Sequence, residues 1–250
     1  MKSVSYKILM SVLLIQVACT TTKDASKLDD FQDSITGYLE FSQLPSSIVL
    51  IPPPPQEGSA EYDLDLKMNK FWTGSADSIR YQQAISDASL VFPEGIRPFS
   101  QWIDIEISES KTPYLMLLLK RSLRDAALST YAGKKQYARQ RPFQVNGLGT
   151  CIPDSEEQLL KDGSYPSGHA AIGQAWALIL SELFPAKTNQ LIKQGQIFGE
   201  SRMVCNVHWY SDVQAGQTMG TATVARLHGN ANFNSDMELA RKEIARQQPK

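Results

Sequence analysis

Pro166-Ser167-Gly168-His169-Ala170-Ala171-Ile172-Gly173-Gln174-Ala175-Trp176-Ala177-Leu178-Ile179-Leu180-Ser181-Glu182-Leu183-Phe184-Pro185 is the stretch on which the reading of the fold turns. Ile172, Trp176, Ile179 and Leu183 recur at helical spacing and mark one face of a helix, and Pro185 helps to end it. The Pro-Ser-Gly turn is a helix N-terminal signal. The first amides of a helix lack intrahelical acceptors, and the helix dipole favours negative charge beside them. Ser167-Gly168-His169 therefore opens a helix at an end suited to an anion. Gly168 permits close backbone approach, and Ser167 adds a hydroxyl donor.

The same periodicity extends outward. Leu115, Leu119 and Leu123, with Ala126 and Ala127, follow Pro113 and predict a helix running to the neighbourhood of Lys134. Asp154 followed by Glu157 resembles a capping box opening a short helix. Further helices are expected over Asn189 to Ser201 and from Trp209 through Ala225. Convincing alternating strands are scarce. The expectation is an all-α protein with a single helical domain over residues 61–250.

Residues 20–60 read as an extended N-terminal arm. The Pro52–Pro55 run cannot continue a helix and prefers polyproline II geometry, which suits a stiff segment packed on the domain. Residues 1–19 read as an export signal: Lys2 and Lys7 supply a positive flank, Ile8–Ile15 a short apolar run, and small residues follow. That run is too short to span a bilayer, and no second hydrophobic span follows. The expected location is the bacterial envelope, in the periplasm. Val17-Ala18-Cys19 resembles the end of a lipobox, which makes Cys19 a candidate for lipidation and the chain a candidate membrane-anchored lipoprotein. Cys151 and Cys205 then remain as an even pair, a disulfide candidate in an oxidising compartment, with two unpaired core cysteines as the other reading.

With 25 basic and 26 acidic residues the formal net charge is −1. Such a balance gives no general pull toward nucleic acid or anionic lipid, so attraction for an anion must be local. Three clusters supply it: Lys134 with Arg141-Pro142; Pro166-Ser167-Gly168-His169; and Ser201-Arg202 with His208 and Asp212. Taken singly, each has a bland reading. The basic residues suit a solvated helix end, the Pro-Ser-Gly turn an ordinary N-terminus, and His208–Asp212 a surface pair worth roughly a few tenths of a kcal/mol.

Taken together, they specify chemistry. Arg141 and Arg202 can clamp phosphate oxygens with paired N–H bonds while Lys134 adds a point charge. Each well-aimed donor is worth roughly 2.7–4 kcal/mol of transition-state stabilisation. Asp212, one helical turn beyond His208, can fix that ring's tautomer and leave its other nitrogen free as a nucleophile. His169 has no such carboxylate and suits proton donation to a leaving oxygen, then activation of water. His228, the third histidine, has no cluster around it and reads as a surface or helix-end residue.

Lys134-x6-Arg141-Pro142, Pro166-Ser167-Gly168-His169 and Ser201-Arg202-x5-His208-x3-Asp212 resemble the three-part signature of the phosphatidic acid phosphatase type 2 and vanadium haloperoxidase superfamily, with eleven fixed residues in order. The wording around them, Asp162-Gly163-Ser164-Tyr165 and His208-Trp209-Tyr210-Ser211-Asp212-Val213, is similar to that of bacterial class A non-specific acid phosphatases. Asn206 stands where similar proteins commonly carry glycine.

The resemblance implies hydrolysis of phosphate monoesters through a phosphohistidine, with no metal and no cofactor. By it, His208 is the nucleophile, Asp212 its orienter and His169 the general acid and base, while Lys134, Arg141, Ser167, Gly168 and Arg202 bind phosphoryl oxygens. Small-molecule phosphomonoesters are the expected partners, with no nucleic acid. Phosphotransfer to alcohols and homo-oligomer formation are further candidate properties. Activity is expected to decline above about pH 6.5, the unperturbed imidazole value. The alternative is a vanadium-dependent haloperoxidase using the same oxyanion pocket, in which His208 would ligate vanadium. A non-catalytic anion-binding protein is a third reading, but it would not need both histidines with the His208–Asp212 pairing.

Overall fold

The computed structural model describes residues 36–73 and 78–247, so the reading of 1–19 as an export signal with Cys19, and residues 20–35 of the arm, lie outside the described residues. The longer helices are α1 (Ala60–Thr73), α2 (Ile79–Ser86), α3 (Pro113–Ser129), α4 (Tyr131–Tyr137), α5 (Pro142–Asn146), α6 (Gly168–Leu183), α7 (Thr188–Val204), α8 (Tyr210–Leu227) and α9 (Ala231–Gln247). No strand occurs among the described residues. None of their helices is long and apolar enough to cross a membrane.

Helix α6 is the centre of the packing, with α7, α8 and α3 around it. The apolar stripe expected on one face is only part of what it buries. Ala170, Ala171, Ala175 and Ala177 are fully buried as well, so the helix is covered nearly all round. Small residues allow this by letting backbones approach. A Cβ on Gly216 of α8 would lie 2.2 Å from the Ser167 carbonyl oxygen, and one on Gly220 would lie 2.3 Å from that of Ala171. On the α7 side, Phe198 packs against Trp176 and Phe99, and the Trp176 indole N–H donates to the Leu119 carbonyl at 3.0 Å.

Helix α3 stops earlier than its periodicity suggests. Ser129 and Thr130 hydroxyls donate to the Ala126 and Ala127 carbonyls, competing with the helical ladder, and the chain turns into a separate α4 that carries Lys134. At the other end of α3, Glu243 of α9 accepts from the Tyr114 and Leu115 amides, a carboxylate supplied from 128 residues away to a positive helix end. The expected capping box at Asp154 and Glu157 does not form. Asp154 lies in a 3-10 turn (Pro153–Ser155), and the short helix Glu156–Leu159 has Ser155 at its N-cap with no side-chain cap. Glu156 instead accepts from the Thr150 amide.

Residues 36–60 follow the helical body rather than leaving it. They contain a 3-10 turn (Phe41–Gln43) and a short helix (Ser47–Leu50), and bury Tyr38, Leu39 and Ile51. Asp125, inside α3, accepts from the Tyr38 and Leu39 amides, and burial pushes its carboxyl up to about 6. Cys151 and Cys205 are joined in a disulfide with their Cα atoms 4.7 Å apart, which links the segment after α5 to the end of α7.

Candidate active site

Four elements converge at the N-terminal end of α6. Helix α4 brings Lys134, the segment after it Arg141, the last turn of α7 Arg202, and the link between α7 and α8 His208. All four side chains are buried or nearly so. A Cβ on Gly168 would sit 3.9 Å from Lys134 Cε, so the lysine stem lies over the opening of α6.

Ser167 is the N-cap of α6, and its Oγ accepts from the Ala170 amide at 3.2 Å. Its own amide donates to the Asp212 carbonyl at 2.9 Å. By helix geometry the Gly168 and His169 amides keep no intrahelical acceptor. They are the backbone donors this end presents, and the Ser167 hydroxyl still has a proton to give.

His208 does not share a helical face with Asp212, as the spacing suggested. It precedes Trp209, the N-cap of α8, and Asp212 is the third residue of that helix. Asp212 Oδ2 reaches back to accept from the Trp209 amide at 2.8 Å, and the same oxygen lies 3.4 Å from His208 Nδ1. On the ring's other side, Arg141 Nη1 is 3.3 Å from Nε2. A guanidinium can only donate, so the network assigns the proton to Nδ1 and a lone pair to Nε2. Burial, then Arg141, Lys134 and Arg202, holds the ring well below its ordinary pKa and therefore neutral.

His169 has an orienting group that the sequence reading missed. Its Nε2 is 2.6 Å from the Asp87 backbone carbonyl, which can only accept, so Nδ1 is the nitrogen left for other work. Its ring stacks on Phe198 with centroids 4.6 Å apart. Burial and then Arg202 hold His169 well below 6.5, and His208 is near enough to lower it further. Ser201, part of the signature, serves this second layer: its hydroxyl donates to Asp87 Oδ2 at 2.5 Å and accepts from Arg80 at 2.8 Å.

Arg141 is anchored by backbone, with Nε donating to the Leu159 carbonyl at 2.8 Å and Nη1 to that of Val207 at 3.1 Å. Lys134 Nζ donates to the Gly163 carbonyl at 2.7 Å, and burial lowers its pKa to about 8. Arg202 differs from both. Its Nε and Nη1 are buried with no hydrogen-bond partner among the described residues. Burial and Arg141 push it down to about 9, so it stays charged at acid and neutral pH.

Three further residues have partners here for which the sequence reading assigned no role. Asp162 bridges Lys134 Nζ at 3.0 Å and Arg141 Nη2 at 2.5 Å. Arg139 joins Asp212 at 2.6 Å to Asp65 at 2.7 Å. Asp65 in turn accepts from the Ser211 amide and hydroxyl. Arg139 carried a local signal, lying two residues before Arg141, and Asp162 opens the segment similar to class A acid phosphatases, whereas Asp65 carried none. His228 lies at the end of α8, half exposed, with Nε2 2.8 Å from Glu182 and its ring edge-on to Phe233, away from this cluster. Asn206 has φ of +61°, the left-handed region, where Asn is tolerated better than most side chains and glycine costs nothing. Here Asn206 also binds Asn69, Asn146 and the Gly149 carbonyl.

The sequence profile of the PAP2 superfamily matches residues 115–235, which contain all three signature segments. The chain is 38% identical over 210 residues to a non-specific acid phosphatase of Providencia stuartii, covering 84% of this chain and 85% of that protein. It is 38% identical over 222 residues to an acid phosphatase of Zymomonas mobilis, covering 84% and 83%. A non-specific acid phosphatase of Salmonella typhimurium is 37% identical over 197 residues, 78% of each chain. Among solved structures, a bacterial vanadium-dependent iodoperoxidase aligns with a TM-score of 0.49 and 21% identity over 78% of this chain and 58% of its own. The chain belongs to the PAP2 superfamily, among its non-specific acid phosphatases.

Proposed function

We propose that this acid phosphatase hydrolyses phosphate monoesters through a phosphohistidine at His208, using its own basic side chains in place of a metal. The observation that carries the reading is Arg202, whose two buried donors beside the His208 ring lack an acceptor among the described residues. Buried charged donors left unpaired cost free energy, and a phosphoryl oxygen would satisfy them.

In the first half-reaction His208 Nε2 forms a bond to phosphorus as the ester P–O bond breaks. His169 Nδ1–H delivers a proton to the departing oxygen, and the freed alcohol leaves. Arg141, Arg202, Lys134 and the Gly168 and His169 amides bind the non-bridging oxygens, with the Ser167 hydroxyl as a further donor. In the second, water attacks phosphorus, its proton passes to His169 Nδ1, and the N–P bond breaks to return the electron pair to His208. Asp212 holds Nδ1–H throughout, so Nε2 stays aimed at the phosphorus. An alcohol in place of water gives phosphotransfer by the same step.

Export to the envelope belongs to the same reading. It is supported by the charge and apolar pattern of residues 1–19 and by a disulfide suited to an oxidising compartment. Whether Cys19 carries lipid decides between a free and an anchored form; mass spectrometry of the mature N-terminus reads it.

The test is to trap enzyme labelled from a phosphomonoester and map the acid-labile, alkali-stable site. Label on His208, lost with turnover in His208→Ala, is the expected result. Normal turnover in that variant overturns the assignment.

A further inference from the structure

Asp162 occupies the place where two of the cations would be expected to meet a phosphoryl group. Its Oδ1 accepts from Arg141 Nη2 at 2.5 Å, and its Oδ2 lies 3.0 Å from Lys134 Nζ. The same guanidinium places Nη1 3.3 Å from His208 Nε2. The carboxylate therefore sits across one guanidinium from the candidate nucleophile, with two oxygens spread over two cations as two phosphoryl oxygens would be. Arg141 has little else to offer, because its Nε and Nη1 already bind backbone carbonyls.

The three partners are held unequally. The Arg141 side chain is 1% exposed and that of Lys134 9%, whereas Asp162 is 44% exposed. The cations are anchored to backbone carbonyls; the acid stands at the solvent edge. It also lines an open cavity of about 460 Å³ together with Lys135 and Lys161, so a displaced carboxylate would have both room and positive surroundings. We propose that Asp162 is an internal counter-anion that the incoming phosphoryl group displaces from Lys134 and Arg141, and that it thereby sets affinity for phosphomonoesters and free phosphate. This rests on the reading above that those two cations bind phosphoryl oxygens. A carboxylate in that position keeps the buried charges paired between turnovers and weakens retention of product, because product and Asp162 compete for the same donors.

The experiment compares Asp162→Asn and Asp162→Ala with the parent enzyme at fixed pH and ionic strength. It measures KM for an aryl phosphate and the competitive Ki of inorganic phosphate. With the acid half-exposed and the cations buried, both constants should fall together by roughly 5- to 10-fold. Asp154→Asn, which removes an equal charge from an exposed site nearby in sequence, should change neither by more than about 2-fold. If KM and Ki rise in both Asp162 variants, the acid positions the cations instead of competing for them, and the proposal fails. Unchanged constants, or the same fall in Asp154→Asn, also overturn it. Failure of the underlying reading has a separate signature: His208→Ala would then retain turnover, whatever the Asp162 variants do.

Discussion

Arg139 Nη1 donates to Asp212 Oδ1 at 2.6 Å, on the carboxylate oxygen opposite the one that faces His208. Burial raises the Asp212 carboxyl above its ordinary pKa; Arg139, the Trp209 amide and Ser164 work against it. Arg139 is tied on its other arm to Asp65 and lies with its guanidinium 5.4 Å from the Trp209 ring centroid. In the mechanism proposed above it is a positioning residue: it opposes protonation of the acid that holds the His208 tautomer.

Arg139→Gln should therefore lower kcat by on the order of 10²-fold with a smaller effect on KM, since it acts on the aim of His208 and not on phosphate binding. Breaking a buried pair should also cost about 3–5 kcal/mol of stability. Arg139→Lys restores charge but not the fork that spans Asp65 and Asp212, so rescue should be partial. Urea denaturation and steady-state kinetics measure both effects. A Gln variant with parental kcat would remove Arg139 from this role.

For His169 the sign of the pH dependence follows from its surroundings. A general acid is competent below its pKa and lost above it. Burial and Arg202 depress His169, so the falling limb of kcat/KM should lie below pH 6.5 once the ester's own second ionisation is corrected for. Bound phosphate adds negative charge beside the ring and raises its pKa, so the limb in kcat should lie at higher pH. Profiles rising into alkali, or limbs in the opposite order, would contradict this.

In kcat/KM, which reports the phosphorylation half-reaction and not the water step that all esters share, His169→Ala should cost roughly 10²–10⁴-fold with alkyl phosphates and far less with a nitrophenyl ester, whose leaving oxygen needs little protonation. Equal losses with both esters would deny His169 the acid role.

Gly216 and Gly220 share a packing role but differ in distance from the chemistry. An alanine Cβ at either would press on a carbonyl of α6, so each substitution should destabilise by about 1–3 kcal/mol. Gly216 presses on Ser167, at the phosphate end of the helix, whereas Gly220 presses on Ala171, one turn further on. Thermal melts should fall in both variants, but kcat of the folded protein should drop only in Gly216→Ala. Parallel losses of kcat would sink the distinction.

The Cys151–Cys205 bond closes a loop of 54 residues that holds Pro166–His169, Ser201 and Arg202 of the signature. Replacing both cysteines with serine should cost about 4 kcal/mol by the loop-entropy estimate. Reductant should destabilise the parent to a similar extent and leave the double variant unaffected. A parent enzyme indifferent to reductant in denaturation curves would show that the bridge adds nothing.

Much of the fold and of the site is legible in the amino-acid sequence. The helical class follows from the spacing of Leu115, Leu119 and Leu123 and of Ile172, Trp176 and Ile179, and the phosphate chemistry from three short segments in order. The pairing of His208 with Asp212 is legible too, but it arises for a different geometric reason: Asp212 caps α8 from inside while His208 stands outside it. The early end of α3 turns on hydroxyls at Ser129 and Thr130, which a count of apolar spacing does not weigh.

The sequence by itself determined most of the helices, because helix hydrogen bonds and apolar periodicity span only a turn or two of chain, and its three short segments named the candidate catalytic side chains. Only the tertiary structure decided what controls those side chains. Asp87 reaches His169 across 82 residues, Arg139 reaches Asp212 across 73, and Asp65 reaches Ser211 across 146. Those partners meet because α6 is clad in small residues that draw α7 and α8 onto its backbone. In the low-dielectric interior so formed, a buried polar group without a partner is costly, so partners are recruited from wherever in the chain they lie.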